Sequence, residues 1–213
     1  MIVMMKRLVP VVLLLALAAC GSEQSATDSP EPGSSPASTE RSPDDRATAT
    51  TGGEAAAWIL AEDRLPAGWR YATGQQHLGV PSLCGVTLEP PHLASVATQR
   101  FTMAWEGPFV VQYSFVSDDA DAVESLMADW VEQGSSCTTT QVSGGTLAVN
   151  PISDIPAVGA DFAALHGEAT GGQARDYIAF RDGSQITVLV GYGLGSMPSH
   201  ADLAAIAAAI TSR

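Results

Sequence analysis

Lysine is nearly missing from this 213-residue chain, with Lys6 its only example. Aromatic residues make up 6% of it and cysteine occurs three times. No apolar run reaches the roughly 20 residues that a transmembrane helix requires. Signatures of chemistry are missing too. No serine sits in G-x-S-x-G, and the Gly-Ser pairs in "RDGSQ" and "GLGSMPSH" read as a hairpin turn and a loop entering a helix cap. The four histidines, His77, His92, His166 and His200, form no H-x-H or H-x-x-x-H pair, so no metal site is expected. "GYGLGS" lacks the βαβ context and the Lys-Ser of a phosphate loop. Among 23 acidic residues nothing singles out the facing pair a glycosidase needs. The expectation is a chain with no catalytic residue, no metal and no cofactor.

The charge is one-sided. Once Lys6 and Arg7 are set aside, the formal net charge moves from −13 to −15, with eight arginines against 23 acids. Such a surface repels nucleic acid and anionic headgroups, so nucleic acid is not an expected partner.

The N-terminus has the three parts of an export signal. Lys6 and Arg7 start it, Leu8 to Leu17 form an apolar stretch broken at Pro10, and Ala18 and Ala19 precede the cut. "LAAC" at 17–20 resembles the lipobox of bacterial lipoproteins, in which the cysteine thiol is diacylated and becomes the first mature residue. A thiolate is the chain's best nucleophile for that transfer. Two acyl chains, each contributing about 0.8 kcal/mol per buried methylene, hold a domain on a membrane where one would not. Residues 1–19 are therefore expected to be a signal peptide. Cys20 is the expected diacylglycerol attachment point on the extracytoplasmic face of the cell membrane.

With Cys20 lipidated, Cys84 and Cys137 remain, and an oxidising compartment favours their pairing. Bridging them would stabilise the fold by about 4 kcal/mol in the chain-entropy picture. A two-thiolate metal site is the alternative, but no C-x-x-C pair or nearby histidine supports it.

Residues 20–53 hold no large apolar side chain after Cys20 and are rich in Ser, Thr, Pro and acids, which predicts a disordered tether. A flexible chain of that length spans on the order of 30 Å. Its composition is also compatible with O-glycosylation. Residues 54–213 are the length of one domain.

Within that domain, Glu54 to Glu62 reads as a short helix stopped by "LPAGW". "RFTMAW", with Phe101, Met103 and Trp105 on one side, and "FVVQYSFV", with Phe109, Val111, Tyr113 and Phe115, read as a hairpin. A helix follows, capped at Ser117 or Asp118 and closed by Gly134, with Ala120, Val123, Leu126, Met127, Trp130 and Val131 on its apolar stripe. After weak strands near 138–149 come "DFAALHGEA", "RDYIAF" and "QITVLVGY". A Gly171-Gly172 turn pairs Glu168 with Arg175 and His166 with Tyr177. A three-residue Asp182-Gly183-Ser184 turn pairs Phe180 with Ile186 and Ile178 with Val188. Leu165, Ile178, Phe180, Ile186, Val188 and Val190 then share one face. A capping box at Ser199–Asp202 opens a last helix with Leu203, Ile206, Ala207 and Ile210 inward. The fold class expected is α+β, a mostly antiparallel sheet with helices packed on one face and one disulfide.

Several pieces together resemble the PknH-like extracellular domain, found as the sensor of mycobacterial receptor kinases and as free-standing actinobacterial lipoproteins. They are "AWILAEDRLPAGW", "PSLCG", "VVQYSFVSDDADAVESLMADWVEQGSSC", "ISDIPAVGADFAALHG", "YIAFRDGSQITVLVGYG" and the Ala-rich final helix. The resemblance implies an α+β sheet with a cleft and a sensor-like role in binding an unidentified ligand. The kinase sensor has two disulfides, whereas this chain can form only Cys84–Cys137. It also carries no kinase domain, so it is not expected to transmit a signal inward by itself.

Two groups are candidates for a site. His166, Glu168, Arg175 and Tyr177 on one sheet face would bind a polar or anionic group, arginine supplying a fork of donors. The plain alternative is a solvated face with a Glu-Arg pair contributing about 0.2–1 kcal/mol. Trp105, Tyr113 and Trp130 would line an apolar cleft or simply fill the core. Three functions follow: a module binding a small molecule, lipid or glycan at the envelope, with a cleft; a protein-interaction module of an envelope complex, with an exposed apolar patch; or a hydrolase, which needs His166 hydrogen-bonded to a serine.

Overall fold

A computed structural model of the chain describes residues 50–73, 79–142 and 145–212. The expected leader, Cys20, nearly all of the expected tether and His77 lie outside the described residues. In chain order the elements are β1 (Thr50–Thr51), α1 (Gly53–Ala56), a 3₁₀ turn (Glu62–Arg64), β2 (Arg70–Tyr71), β3 (Ser82–Leu83) and β4 (Val86–Thr87). They continue with β5 (Leu93–Thr102), β6 (Phe109–Ser117), α2 (Ala120–Ser136), β7 (Thr139–Val142), β8 (Gly145–Pro151), β9 (Phe162–Ala169), β10 (Ala174–Asp182), β11 (Gln185–Tyr192) and α3 (His200–Thr211). The fold is α+β. Its large sheet runs β1-β5-β6-β11-β10-β9-β8-β7, with β2 also on β5, and every pairing except the short β1–β5 contact is antiparallel.

The topology follows from the connections. The chain leaves the middle of the sheet at β6, crosses it as α2, and returns as a meander from β7 to β11. That return seats β11 beside β6, with Gln185 opposite Val116 and Tyr192 opposite Phe109. β6 is buried at all nine positions, so it needs cover on both sides. α2 supplies it on one face, where Val123, Met127 and Trp130 pack with Phe115, Ala179, Ile186 and Val188. α3 supplies it on the other, where Leu203, Ile206 and Ile210 pack with Phe101, Val110, Ile178, Phe180 and Leu189.

The helices therefore take both faces of the sheet, not the single face expected. Consecutive apolar residues in "FVV", "YIAF" and "ITVLV" are what a strand buried on both sides requires. Leu165, Ile186, Val188 and Val190 face α2, while Ile178 and Phe180 face α3.

Other boundaries differ for local reasons. α1 is four residues long, and its continuation is held by side chains of the sheet: Gln112 accepts from the Leu60 N–H at 3.0 Å and donates to Trp58 O at 2.7 Å. β1 begins inside the expected tether. β5 starts at Leu93 and ends at Thr102, which leaves Met103 and Trp105 in the turn rather than on a strand face. α2 is capped by Asp119, which accepts from the Ala122 N–H at 3.0 Å, while Ser117 accepts from the Asp119 N–H. Gly134 does not close that helix. It lies inside the last turn, where a Cβ would sit 2.9 Å from Leu165 Cδ1, so it is the point of closest approach to the sheet. On the stripe of α2, Ala120 and Val131 are exposed. The Ser199 cap and the four inward residues of α3 are as expected: Ser199 Oγ accepts from the Asp202 N–H at 3.1 Å, and Leu203, Ile206, Ala207 and Ile210 are buried.

Cys84 and Cys137 are bridged, with Cα atoms 5.9 Å apart. Cys84 (φ 56°) and Gly85 (φ 81°) are the central residues of the β3–β4 hairpin, both left-handed as a type I′ turn demands. The bridge fastens that hairpin to the end of α2. Replacing both cysteines by serine is expected to lower the unfolding free energy by about 2–5 kcal/mol in urea titrations.

Candidate ligand-binding cleft

α2 covers only part of its sheet face. Beyond its last turn the floor opens into a cavity of about 450 Å³. Tyr113 from β6, Val190 from β11 and Arg175 and Tyr177 from β10 form the floor. Gly79, Val80, Pro81 and Ser82 form one wall, and Gln141 and Val142 of β7 the other. The walls are tied together: the Cys84 N–H donates to Thr140 Oγ1 at 2.9 Å, and the disulfide follows immediately.

Two turns decide which side chains reach this floor. The β10–β11 turn holds two residues, Gly183 and Ser184, with Asp182 opposite Gln185. Gly183 alone has positive φ, at 58°, which identifies a type II′ turn. The β9–β10 turn is one residue longer than expected, with Gly171 and Gly172 at φ 120° and 86° and the Ala169 N–H donating to Gln173 O at 2.7 Å. Glu168 thus pairs with Ala174, Gly167 with Arg175, His166 with Asp176 and Leu165 with Tyr177. Each expected pairing is shifted by one residue, and a shift of one moves side chains to the opposite face.

The four-residue polar constellation is consequently split. Arg175 and Tyr177 face the cleft, together with Tyr113. His166 lies on the α3 face of the sheet, and Glu168 is exposed near the strand end. Trp105 is 82% exposed in the β5–β6 turn and lines nothing. Trp130 is core, under α2. Sequence reasoning missed the 79–82 wall, Gln141, Val142 and Val190, because no local pattern places a loop before Cys84 over the middle of the sheet. The signal that was available is the disulfide, which brings 84 next to 137 and hence 79–82 next to 141–142.

Electrostatically the floor is unusual. Tyr113 is 5% exposed, and burial pushes its phenol well above the ordinary value, helped by Tyr192 and Tyr177 and opposed by the positive charge of Arg175. Tyr113 therefore stays protonated. Tyr192, opposite Arg175 in the strand register, stacks on Phe109 at 5.2 Å and carries a buried hydroxyl with no hydrogen-bond partner among the described residues.

His166 has a different neighbourhood. Its Nδ1 lies 2.6 Å from Asp176 Oδ1, and that carboxylate is buried. His200, the first residue of α3, places Nε2 3.9 Å from Asp176 Oδ2 and Nδ1 2.7 Å from Asp154 Oδ1. The bond from His200 holds the Asp154 carboxyl below the usual range. Gly191, which pairs with Asp176, lets α3 approach: a Cβ there would lie 3.2 Å from Pro198 Cγ and 3.4 Å from Leu203 Cδ2. The cluster anchors the start of α3 to the sheet. A buried carboxylate needs such donors to be tolerated. His166 Nδ1 is thus paired with a carboxylate, and among the described residues no hydrogen bond joins His166 to a serine. Among the described residues no group of three or more His, Cys, Asp or Glu is arranged to hold a metal ion, and no helix is long and apolar enough to cross a membrane.

Comparison with protein-family models, with curated protein sequences and with solved structures finds no match to this chain.

The state of Tyr113 has a measurable consequence. Its folded form keeps the proton that the unfolded chain releases near pH 10.0, so stability should fall as pH rises above that value. Tyr113→Phe removes this contribution. The drop in urea midpoint between about pH 8 and about pH 11 should be smaller in the variant than in the parent.

Proposed function

We propose that this chain is a lipoprotein, anchored through a diacylglycerol on Cys20 to the extracytoplasmic face of the cell membrane. Its folded domain is a sensor-like, non-catalytic module that binds a small molecule, lipid or glycan. The reading rests on one observation above others: a cavity of about 450 Å³ on the sheet face that α2 leaves open, with polar and apolar lining in nearly equal parts and Arg175 on its floor. That size is typical of small-molecule sites. The lipobox-like "LAAC" and the polar stretch after it support the anchor and the tether. The resemblance to the PknH-like extracellular domain supports the sensor-like role.

A second reading, a protein-interaction module of an envelope complex, is favoured by two side chains. Trp105 and Leu194 are each 82% exposed, in the turn before β6 and the loop after β11, at the same end of the sheet where Phe109 pairs with Tyr192. Neither belongs to the cavity lining.

Native mass spectrometry of the full chain, released from membranes in mild detergent, separates the two readings. A discrete added mass, lost on denaturation and distinct from the acyl groups, is expected if the cleft is a binding site. Co-elution with a second protein that is abolished by Trp105→Ser would favour the interaction module instead. Cys20→Ser should move the protein from the membrane fraction to the soluble fraction, and retention at the membrane would overturn the anchor.

A further inference from the structure

We infer that the cleft takes an organic anion, a carboxylate or phosphate head on an apolar body, with Arg175 as the group that receives the head. This inference rests on the cleft being the binding site and specifies the ligand's chemistry.

The first ground is the bookkeeping of positive charge. Arg181 is committed to two carboxylates, Asp161 at 2.5 Å and Glu124 at 3.3 Å. Arg64 donates to Ala209 O at 2.6 Å. Arg100 donates to Thr73 O at 2.9 Å and lies 5.3 Å from the centre of the Phe109 ring. Arg70 is exposed on the edge strand β2. Arg175 is different: it is half-buried on the cleft floor and has no hydrogen bond or ion pair among the described residues. A guanidinium drawn partly out of water without a counter-charge is poised to gain one.

The second ground is the absence of the opposite sign. The chain has 23 acidic residues, yet no Asp or Glu is among the described residues lining the cavity. A cationic ligand would find no partner there. Beside Arg175 the floor carries Tyr177, a phenol that can donate to an anion. Tyr192, with its unpartnered hydroxyl, is the cross-strand neighbour of Arg175 on one side.

The third ground is apolar surface. On the other side Arg175 is opposite Gly167, where a Cβ would lie 3.1 Å from Leu147 Cδ1 and 3.6 Å from the Tyr177 ring, so Leu147 and Tyr177 close the floor there. Val80, Pro81, Val142 and Val190 then offer apolar surface to the rest of the ligand. An acidic protein surface repels anions in general, so the local arginine also makes the site selective for a ligand that can reach it and fill the apolar walls.

The test uses three probes of nearly one shape: phenyl phosphate, benzoate and uncharged benzyl alcohol. Each is titrated calorimetrically into the full chain in the same detergent. Phenyl phosphate or benzoate should bind at least about tenfold more tightly than benzyl alcohol, the margin expected of a charge-assisted hydrogen-bonded pair. Which of the two anions is preferred distinguishes a phosphate from a carboxylate ligand. Arg175→Gln should bring both anions to the level of the alcohol. Gln141→Glu, an isosteric change at an exposed wall position, should do the same by placing a carboxylate beside Arg175, and it keeps the test open if the first variant does not fold. Equal binding of all three probes, or anion binding unchanged in a folded variant, overturns the inference while the cleft stands as a binding site. No binding of any probe, together with no added native mass, overturns both.

Discussion

Pairing register along β10 is the constraint on which the rest of this structure depends. A two-residue turn at Gly183–Ser184 and a longer one through Gly171–Gly172 set which residues of one strand look towards α2 and which towards α3. Arg175, Tyr177 and Ala179 go one way and Asp176, Ile178 and Phe180 the other. Every chemical feature of the domain follows from that division. The arginine is left on an open floor among phenols, and the aspartate is buried beneath the first turn of α3 between two histidines. One residue of slip would exchange them, burying an arginine under α3 and emptying the cleft of its positive charge.

Unequal cover on the two faces creates the cleft. On the α3 face the core extends from Trp69 and Leu60 across to Ile210, closed by a helix whose first residue is bonded into the Asp154–His200–Asp176–His166 chain. On the α2 face the helix ends before the sheet does. The remaining floor is roofed by a short hairpin region that has little core of its own. That region is fixed covalently through Cys84, by the Thr140 hydroxyl, and by Leu83 and Leu88, which are buried in the core beneath α2. The disulfide is thus both a stabilising crosslink and the support of one cleft wall.

Charge is sorted with the same economy. The acidic side chains are kept out of the described cavity lining, and Arg64, Arg100 and Arg181 are engaged elsewhere, with backbone carbonyls, an aromatic ring or carboxylates. Burial keeps Tyr113 in its neutral form, so the floor carries one fixed positive charge, Arg175, in a chain that is otherwise strongly negative.

By itself the sequence determined the elements that depend on local chemistry. These are the apolar strands, the acid-capped α2, the Ser199 cap and inward stripe of α3, the α+β class, and the pairing of Cys84 with Cys137. Periods of two and of three to four residues, capping side chains and cysteine count act over a few positions, so they are legible in order along the chain. What only the tertiary structure decided is non-local. Turns one residue longer or shorter than the Gly-Gly and Asp-Gly-Ser motifs suggest are both sterically open to those residues. The choice between them is made by whether Ile178 and Phe180 find α3, and Leu165 and Val188 find α2. Gly134 reads locally as a helix stop, yet Leu165 makes it a packing contact. The 79–82 wall carries no signal of its own, because its position over Tyr113 and Arg175 is imposed by the bond from Cys84 to a cysteine 53 residues further along the chain.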